Sequence, residues 1–334
     1  MATNIIGDTE WNGLPMPRRL GAIVAVAFGV SLSVIDSVIA NVALPTLASE
    51  FGTSSANSVW IVNAYQLALI TTLLIFSNLG DILGYRRIYI SGLVLFTVAS
   101  AGCALSTTFA SLIAWRAVQG IGAAAITSVN TTLIRIIYPR RMLARGMGIN
   151  ATVVAVSSVA GPSVAAAILS VTTWHWLFAV NLPVGLIAFT LSSRFLPQNP
   201  VKVEGRRFDW RSGVMCALTF GLVMACVEGY SHGMSLHVWF VLAAVAAVVA
   251  WQFVTDQLRK PMPILPFDLL RIPIFSLSIV TSICSFTAQM LAMVSLPFIL
   301  QHSMGYDAVS TGLIFTAWPM VIMVVAPLAG VLAE

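Results

Sequence analysis

Long apolar runs broken by short polar gaps fill most of the chain. A helix needs about 20 apolar residues to cross the hydrocarbon core. Lipid offers no water to unpaired backbone groups, so each such run is read as a membrane-spanning helix. The runs predict ten spans, at 20–44, 58–79, 88–107, 111–134, 146–171, 176–195, 212–230, 236–255, 274–301 and 308–333. The fold class predicted is an all-α polytopic membrane protein. The one sizeable polar gap, 196–211, reads as a linker between two halves.

Charge gives these spans an orientation. Of the 17 Lys and Arg residues, all but Arg116 fall before the first span or in alternate gaps and their edges: Arg18 and Arg19; Arg86 and Arg87; Arg135, Arg140, Arg141 and Arg145; Arg194, Lys202, Arg206, Arg207 and Arg211; Arg259, Lys260 and Arg271. The other gaps, 45–57, 108–110, 172–175, 231–235 and 302–307, hold none. Cytoplasmic loops retain Lys and Arg, so the amino terminus is predicted to be cytoplasmic, in a cell membrane and most simply a bacterial inner membrane. With 58% hydrophobic and only 9% charged residues, a water-soluble globule is excluded. The net charge of +5 is spread over short loops, which points to topology and contact with anionic lipid rather than to nucleic acid. Cys103, Cys216, Cys226 and Cys284 stand apart with no metal-type spacing, so neither disulfide nor metal is expected. No phosphate cradle or H-E-x-x-H occurs; neither enzyme activity nor a cofactor is expected.

Two charged residues, Asp36 and Arg116, lie away from the ends of their spans. Asp36 is near the middle of the first, where a carboxylate must pair, face a polar cavity or take up a proton. Burial penalises its charged form and makes it a candidate proton carrier; a structural pairing with a neighbouring helix is the alternative. Arg116 cannot discharge, so it needs a permanent partner, a cavity or a carbonyl, unless it snorkels to the interface. Gln119 shares its helix face. In span five, Ser157, Gly161 and Ala165 form a ridge of small residues that lets another helix approach, and Pro162 frees the carbonyl of Ser158. Asp81, Gly84, Arg86 and Arg87 occupy a very short turn. Asn41, Asn63, Gln66, Gln119 and Asn130 are candidates to line a substrate cavity, or to bond between helices.

The chain also repeats itself. V-A-L-P-T-L-A-S-E-F-G from Val42 returns as V-S-L-P-F-I-L-Q-H-S-M-G from Val294, with the Leu-Pro pairs 252 residues apart. Spans nine and ten therefore echo spans one and two, as in transporters built from repeated bundles. By that arithmetic the second bundle is expected to be incomplete, with about four spans absent.

Several motifs resemble the major facilitator superfamily, in particular its 14-span drug:proton antiporter branch. They are V34-I-D-S-V-I-A-N-V-A-L-P45, L79-G-D-I-L-G-Y-R-R87, R116-A-V-Q-G-I-G122, G161-P162, W174-H-W-L-F178 with N181-L-P-V-G185, and F208-D-W210. Ser77 stands where the loop motif usually opens with Gly, Tyr85 replaces a common basic residue, and Ser157 and Ala165-Ala166 alter the antiporter element while keeping it small. The resemblance implies two six-helix bundles with two inserted helices: 1–195, a linker at 196–211, inserted helices over 212–255, and the start of a second bundle at 256–334. It implies export of small amphipathic or cationic compounds in exchange for protons, by a monomer. Asp36 and Arg116 would serve coupling, Asp81, Gly84, Arg86 and Arg87 a cytoplasmic latch, and Ser157, Gly161, Pro162 and Ala165 a seal between halves. A facilitator or symporter of a metabolite, or a non-transporting scaffold or receptor, stays open as an alternative.

Overall fold

The structure, a computed structural model, describes residues 13–198, 209–231, 233–260, 267–298, 304–305, 320–321, 325 and 328. They belong to two compact units, Met1–Phe208 with Ile322–Glu334, and Asp209–Val321. The first unit contains α1 (Met16–Glu50), α2 (Ser55–Ser58), α3 (Trp60–Leu83), α4 (Tyr85–Ala104), α5 (Phe109–Ile137), α6 (Leu143–Val171), α7 (His175–Ala179) and α8 (Asn181–Phe195). The second contains α9 (Trp210–Ser231), α10 (Leu236–Arg259) and α11 (Pro273–Phe298).

Among the described residues, eight stretches are long and apolar enough to cross a membrane, and α11 adds a shorter apolar helix over Pro273–Ala288. These match the first nine predicted spans; most of the tenth, and residues 299–303 of the second copy of the repeat, lie outside the described residues. Helix ends differ from the apolar edges. α1 has 35 residues, roughly 52 Å at 1.5 Å per residue, and so outruns the ~30 Å core. A helix does not stop where lipid stops; it stops where a cap or a breaker intervenes.

Those signals are local. Thr108 caps α5, accepting from the Ser111 amide at 3.2 Å while Ser111 Oγ accepts from the Thr108 amide at 3.3 Å. At the far end Pro139 forces Tyr138 into an extended conformation, which ends α5. Gly84, at φ 108°, is the single residue between α3 and α4, a conformation that side chains resist. Pro183 cannot donate to the carbonyl of Ala179, and the sixth span accordingly breaks into α7 and α8 at Val180.

In the first unit α5 lies against α3 and α4, α1 lies against α6 and α8, and α4 joins the groups through α8. Apart from Arg116, its Arg residues gather at one end, where Arg19 Nε donates to the Leu14 carbonyl at 2.8 Å and Arg86 donates to that of Ser193. At the other end the rings of Phe51, Phe109 and Trp174 meet, with centroids 5.4–6.0 Å apart. Two buried apolar clusters stand between these ends. One is built on Val26, Val30, Tyr89, Phe96 and Leu133. The other is built on Ile39, Leu47, Ile61, Leu112 and Phe178. Large apolar side chains such as Val98, Trp176 and Leu186 point outward, as a lipid-facing surface allows.

In the second unit Asp209 joins α9 to α10. Its carboxylate caps Ser212, accepting from the amide at 3.2 Å and the hydroxyl at 2.8 Å. Lys260 pairs with both Asp209 and Asp256. Burial pushes the Asp209 carboxyl up, but hydrogen bonds from Lys260 and Ser212 outweigh it and lower it from 3.8 to about 2. Its contribution is therefore complete above the usual carboxylate range and is lost as pH falls toward 2. The F-D-W motif thus includes a clasp between the two helices that the resemblance places between the bundles.

Candidate functional site

Between the two apolar clusters of the first unit lies a polar layer. α1 brings Asp36, α4 brings Ser100, α5 brings Arg116 and Gln119, and α8 brings Asn181. All five are buried; Arg116 is 0% exposed and Asp36 1%. Arg116 Nη1 donates to Asp36 Oδ2 and to Gln119 Oε1, both at 2.6 Å. Arg116 Nε donates to the carbonyl of Ile61 at 3.1 Å. The other carboxylate oxygen, Asp36 Oδ1, accepts from Gln119 Nε2 at 2.8 Å and from Asn181 Nδ2 at 2.6 Å. Gln119 Nε2 also donates to Ser100 Oγ at 2.8 Å.

The layer satisfies most of its charge internally. Three donors meet the carboxylate, from Arg116, Gln119 and Asn181. The guanidinium has five N–H groups; Nε and Nη1 are used, while Nη2 has no hydrogen-bond partner among the described residues. The guanidinium carbon instead lies 4.4 Å from the ring centroid of Tyr65 and 5.7 Å from that of Phe178, so two π-faces meet the cation. Close backbone approach makes this possible. A β-carbon at Gly120 would fall 2.3 Å from the Tyr65 carbonyl oxygen, and one at Gly122 would fall 2.7 Å from the Phe96 nitrogen. The R-x-x-Q-G-x-G segment therefore seats α5 between α3 and α4 and aims Arg116 inward.

Of the predicted site residues, the structure brings Asp36, Arg116 and Gln119 into one cluster. Arg116 does not snorkel. The remaining cavity candidates lie elsewhere. Asn41 is exposed and donates to the carbonyl of Ser37 on its own helix at 2.9 Å. Asn63 and Gln66 are half-buried on α3. Asn130 Nδ2 donates to Asn150 Oδ1 at 3.1 Å, tying α5 to α6.

The small ridge of α6 turns toward α1 of the same unit. Ser157 Oγ donates to Ser31 Oγ at 2.9 Å, and a β-carbon at Gly161 would fall 2.6 Å from Val38 Cγ1. Ala165 is buried beside Ile39 and Ala43, while Pro162 faces outward. In the short turn, Tyr85 donates to Asp81 Oδ1 at 2.7 Å, so the Tyr that departs from the family pattern engages the motif's own acid. Gly84, Arg86 and Arg87 border a groove of about 560 Å³ that Gln198 completes.

Sequence reasoning missed Ser100 and Asn181 as site residues, and Tyr65 as a ring that faces Arg116. Asn181 did carry a signal, an amide inside an apolar run and at the head of the N-L-P-V-G motif.

Comparison with known proteins agrees with this fold. Residues 26–334 match the Major Facilitator Superfamily. The chain is 55% identical over 323 residues to the uncharacterized transporter YebQ of Escherichia coli (strain K12), covering 97% of this chain and 71% of that protein. It is 27% identical over 319 residues to the riboflavin transporter RibZ of Clostridioides difficile (strain 630), covering 96% and 69%. It is 29% identical over 314 residues to the multidrug resistance protein Stp of Mycobacterium tuberculosis (strain CDC 1551 / Oshkosh), covering 93% and 58%. The solved structure of the proton:xylose symporter XylE superposes with a TM-score of 0.60 at 13% identity over 92% of this chain and 69% of that one, a likeness of fold alone. A polytopic helical protein with this layer, matched along nearly all its length, belongs to the Major Facilitator Superfamily of membrane transporters.

Proposed function

We propose that the protein exports small amphipathic or cationic compounds in exchange for protons, by alternating access, in a bacterial cell membrane with its amino terminus cytoplasmic. The observation that carries this reading is the Asp36–Arg116 pair, held at 2.6 Å in a polar layer with apolar clusters on either side. A buried ion pair adds little to stability compared with well-packed apolar residues, so its presence in a bundle core favours a working role. Among the described residues, Asp36 is the only carboxylate in the layer. Protonating it neutralises one partner and leaves the guanidinium with Gln119, the Ile61 carbonyl and two aromatic faces. The pair therefore has two electrostatic states that a proton can exchange, and a cationic cargo competes for the same carboxylate.

The energetics suffice. One proton entering down 100 mV releases about 2.3 kcal/mol, enough for roughly a 50-fold gradient of a neutral solute. The multidrug resistance protein among the relatives supports this cargo class. The riboflavin transporter among them favours a second reading, movement of a metabolite on the same fold.

The test is export from cells and everted vesicles. Asp36→Asn keeps the size and most of the hydrogen bonds but cannot exchange a proton. It is expected to abolish proton-driven export at matched expression, and undiminished export removes Asp36 from coupling. Cargo-stimulated proton release by the unmodified protein separates antiport from facilitation, which releases none.

A further inference from the structure

A groove of about 500 Å³ lies between α1, α6 and α8 of the first unit. Its walls are mostly apolar, with Phe28, Leu32, Ile35, Val153, Val156 and Val184 among them. Four polar side chains interrupt it. Ser157 and Ser31 bond to each other, and Thr152 Oγ1 donates to the carbonyl of Gly148 at 3.0 Å. Asn181 is different. Its amide nitrogen reaches the polar layer, donating to Asp36 Oδ1 at 2.6 Å and toward Ser100 Oγ at 3.4 Å. Its carbonyl oxygen accepts no hydrogen bond among the described residues, although Asn181 is 98% buried (2% exposed). One rigid amide thus has its donor in the charged layer and an unspent acceptor at the groove.

We propose that this groove binds an amphipathic organic molecule that presents an N–H or O–H to Asn181 Oδ1, and that Asn181 is the positioning residue through which occupancy reaches Asp36. An amide that accepts a hydrogen bond at oxygen becomes a better donor at nitrogen, because linked hydrogen bonds polarise one another. An occupied groove then strengthens the donation to Asp36 and favours its ionised form. That is the sign an exchanger needs, since cargo and proton oppose each other. The purpose assigned to the groove rests on the transport reading; binding to it does not.

The experiment is equilibrium binding to the chain in lipid nanodiscs, without a gradient, using two aromatic cations. Ethidium carries aryl N–H groups; tetraphenylphosphonium carries none. Asn181→Leu is expected to weaken ethidium about fivefold, the scale of one neutral hydrogen bond, while tetraphenylphosphonium stays within about twofold. Val156→Trp fills the groove from a half-exposed wall outside the polar layer and is expected to weaken both about tenfold. Val156→Phe replaces it should the Trp variant lose its monodisperse elution profile.

Equal losses of both probes in Asn181→Leu, or no loss of either, overturn the proposal. So does unchanged ethidium binding in the groove-filling variant, or no saturable binding by the unmodified chain. If these variants behave as expected while Asp36→Asn still exports, the coupling reading fails and the groove stands. The reverse pattern sinks the groove alone.

Discussion

At the scale of single residues the polar layer is a problem of charge in a dry place. Removing one member of a buried pair leaves the other uncompensated and costs about 3–5 kcal/mol, whereas replacing both with apolar groups is often neutral. Asp36→Leu and Arg116→Leu are each expected to lower the thermal midpoint in detergent sharply, and the double variant to recover much of the loss. A double variant as unstable as the sum of the two singles would show that the pair is not energetically coupled. Asp36 and Arg116 were legible in the sequence because an ionisable residue inside an apolar run is rare. Their pairing was not, since the partners stand 80 residues apart. Ser100 and Asn181 escaped notice because a neutral polar side chain in a span is common and inexpensive. Asn41 and Gln119 look alike in sequence, yet one faces outward and the other completes the cluster. Only the rotation of each helix in the bundle separates them.

At the scale of elements the small ridge of α6 determines how closely α1, which carries Asp36, can be held. Ser157 meets Ser31 there and Gly161 meets Val38. Leucine at position 161 has no room, and overpacking of this kind costs roughly 1–3 kcal/mol. Cysteines placed at 31 and 157 should cross-link readily, their parent hydroxyls lying 2.9 Å apart. Adding Gly161→Leu is expected to suppress that cross-link, and an undiminished yield would show that the ridge does not set the approach. The ridge was visible in sequence as small residues at four-residue spacing. Its neighbour was not: spacing names a face, and the structure gives that face to α1. Helix ends were blurred for a related reason. Hydropathy marks lipid, whereas Thr108, Gly84, Pro139 and Pro183 mark where helices start, turn and stop.

At the scale of the whole molecule the membrane-crossing design follows from hydropathy, and the first nine apolar runs coincide with helices. In the first unit the Arg residues other than Arg116 gather at one end, and the sorting of Lys and Arg predicts which side that end faces. With Cys284 replaced by Ser, Thr53→Cys is expected to react with a membrane-impermeant maleimide on intact cells. Arg141→Cys is expected to react only after permeabilisation, and the opposite pattern inverts the proposed orientation. The one-residue turn at Gly84 has its own consequence. With no slack between α3 and α4, neither can travel a full 5.4 Å turn along the other without unwinding. α5, seated against both through its glycines, rides with them. These three helices are therefore expected to move as one body, which leaves any displacement inside the first unit to α1, α6 and α8, the walls of the groove that ends at Asn181.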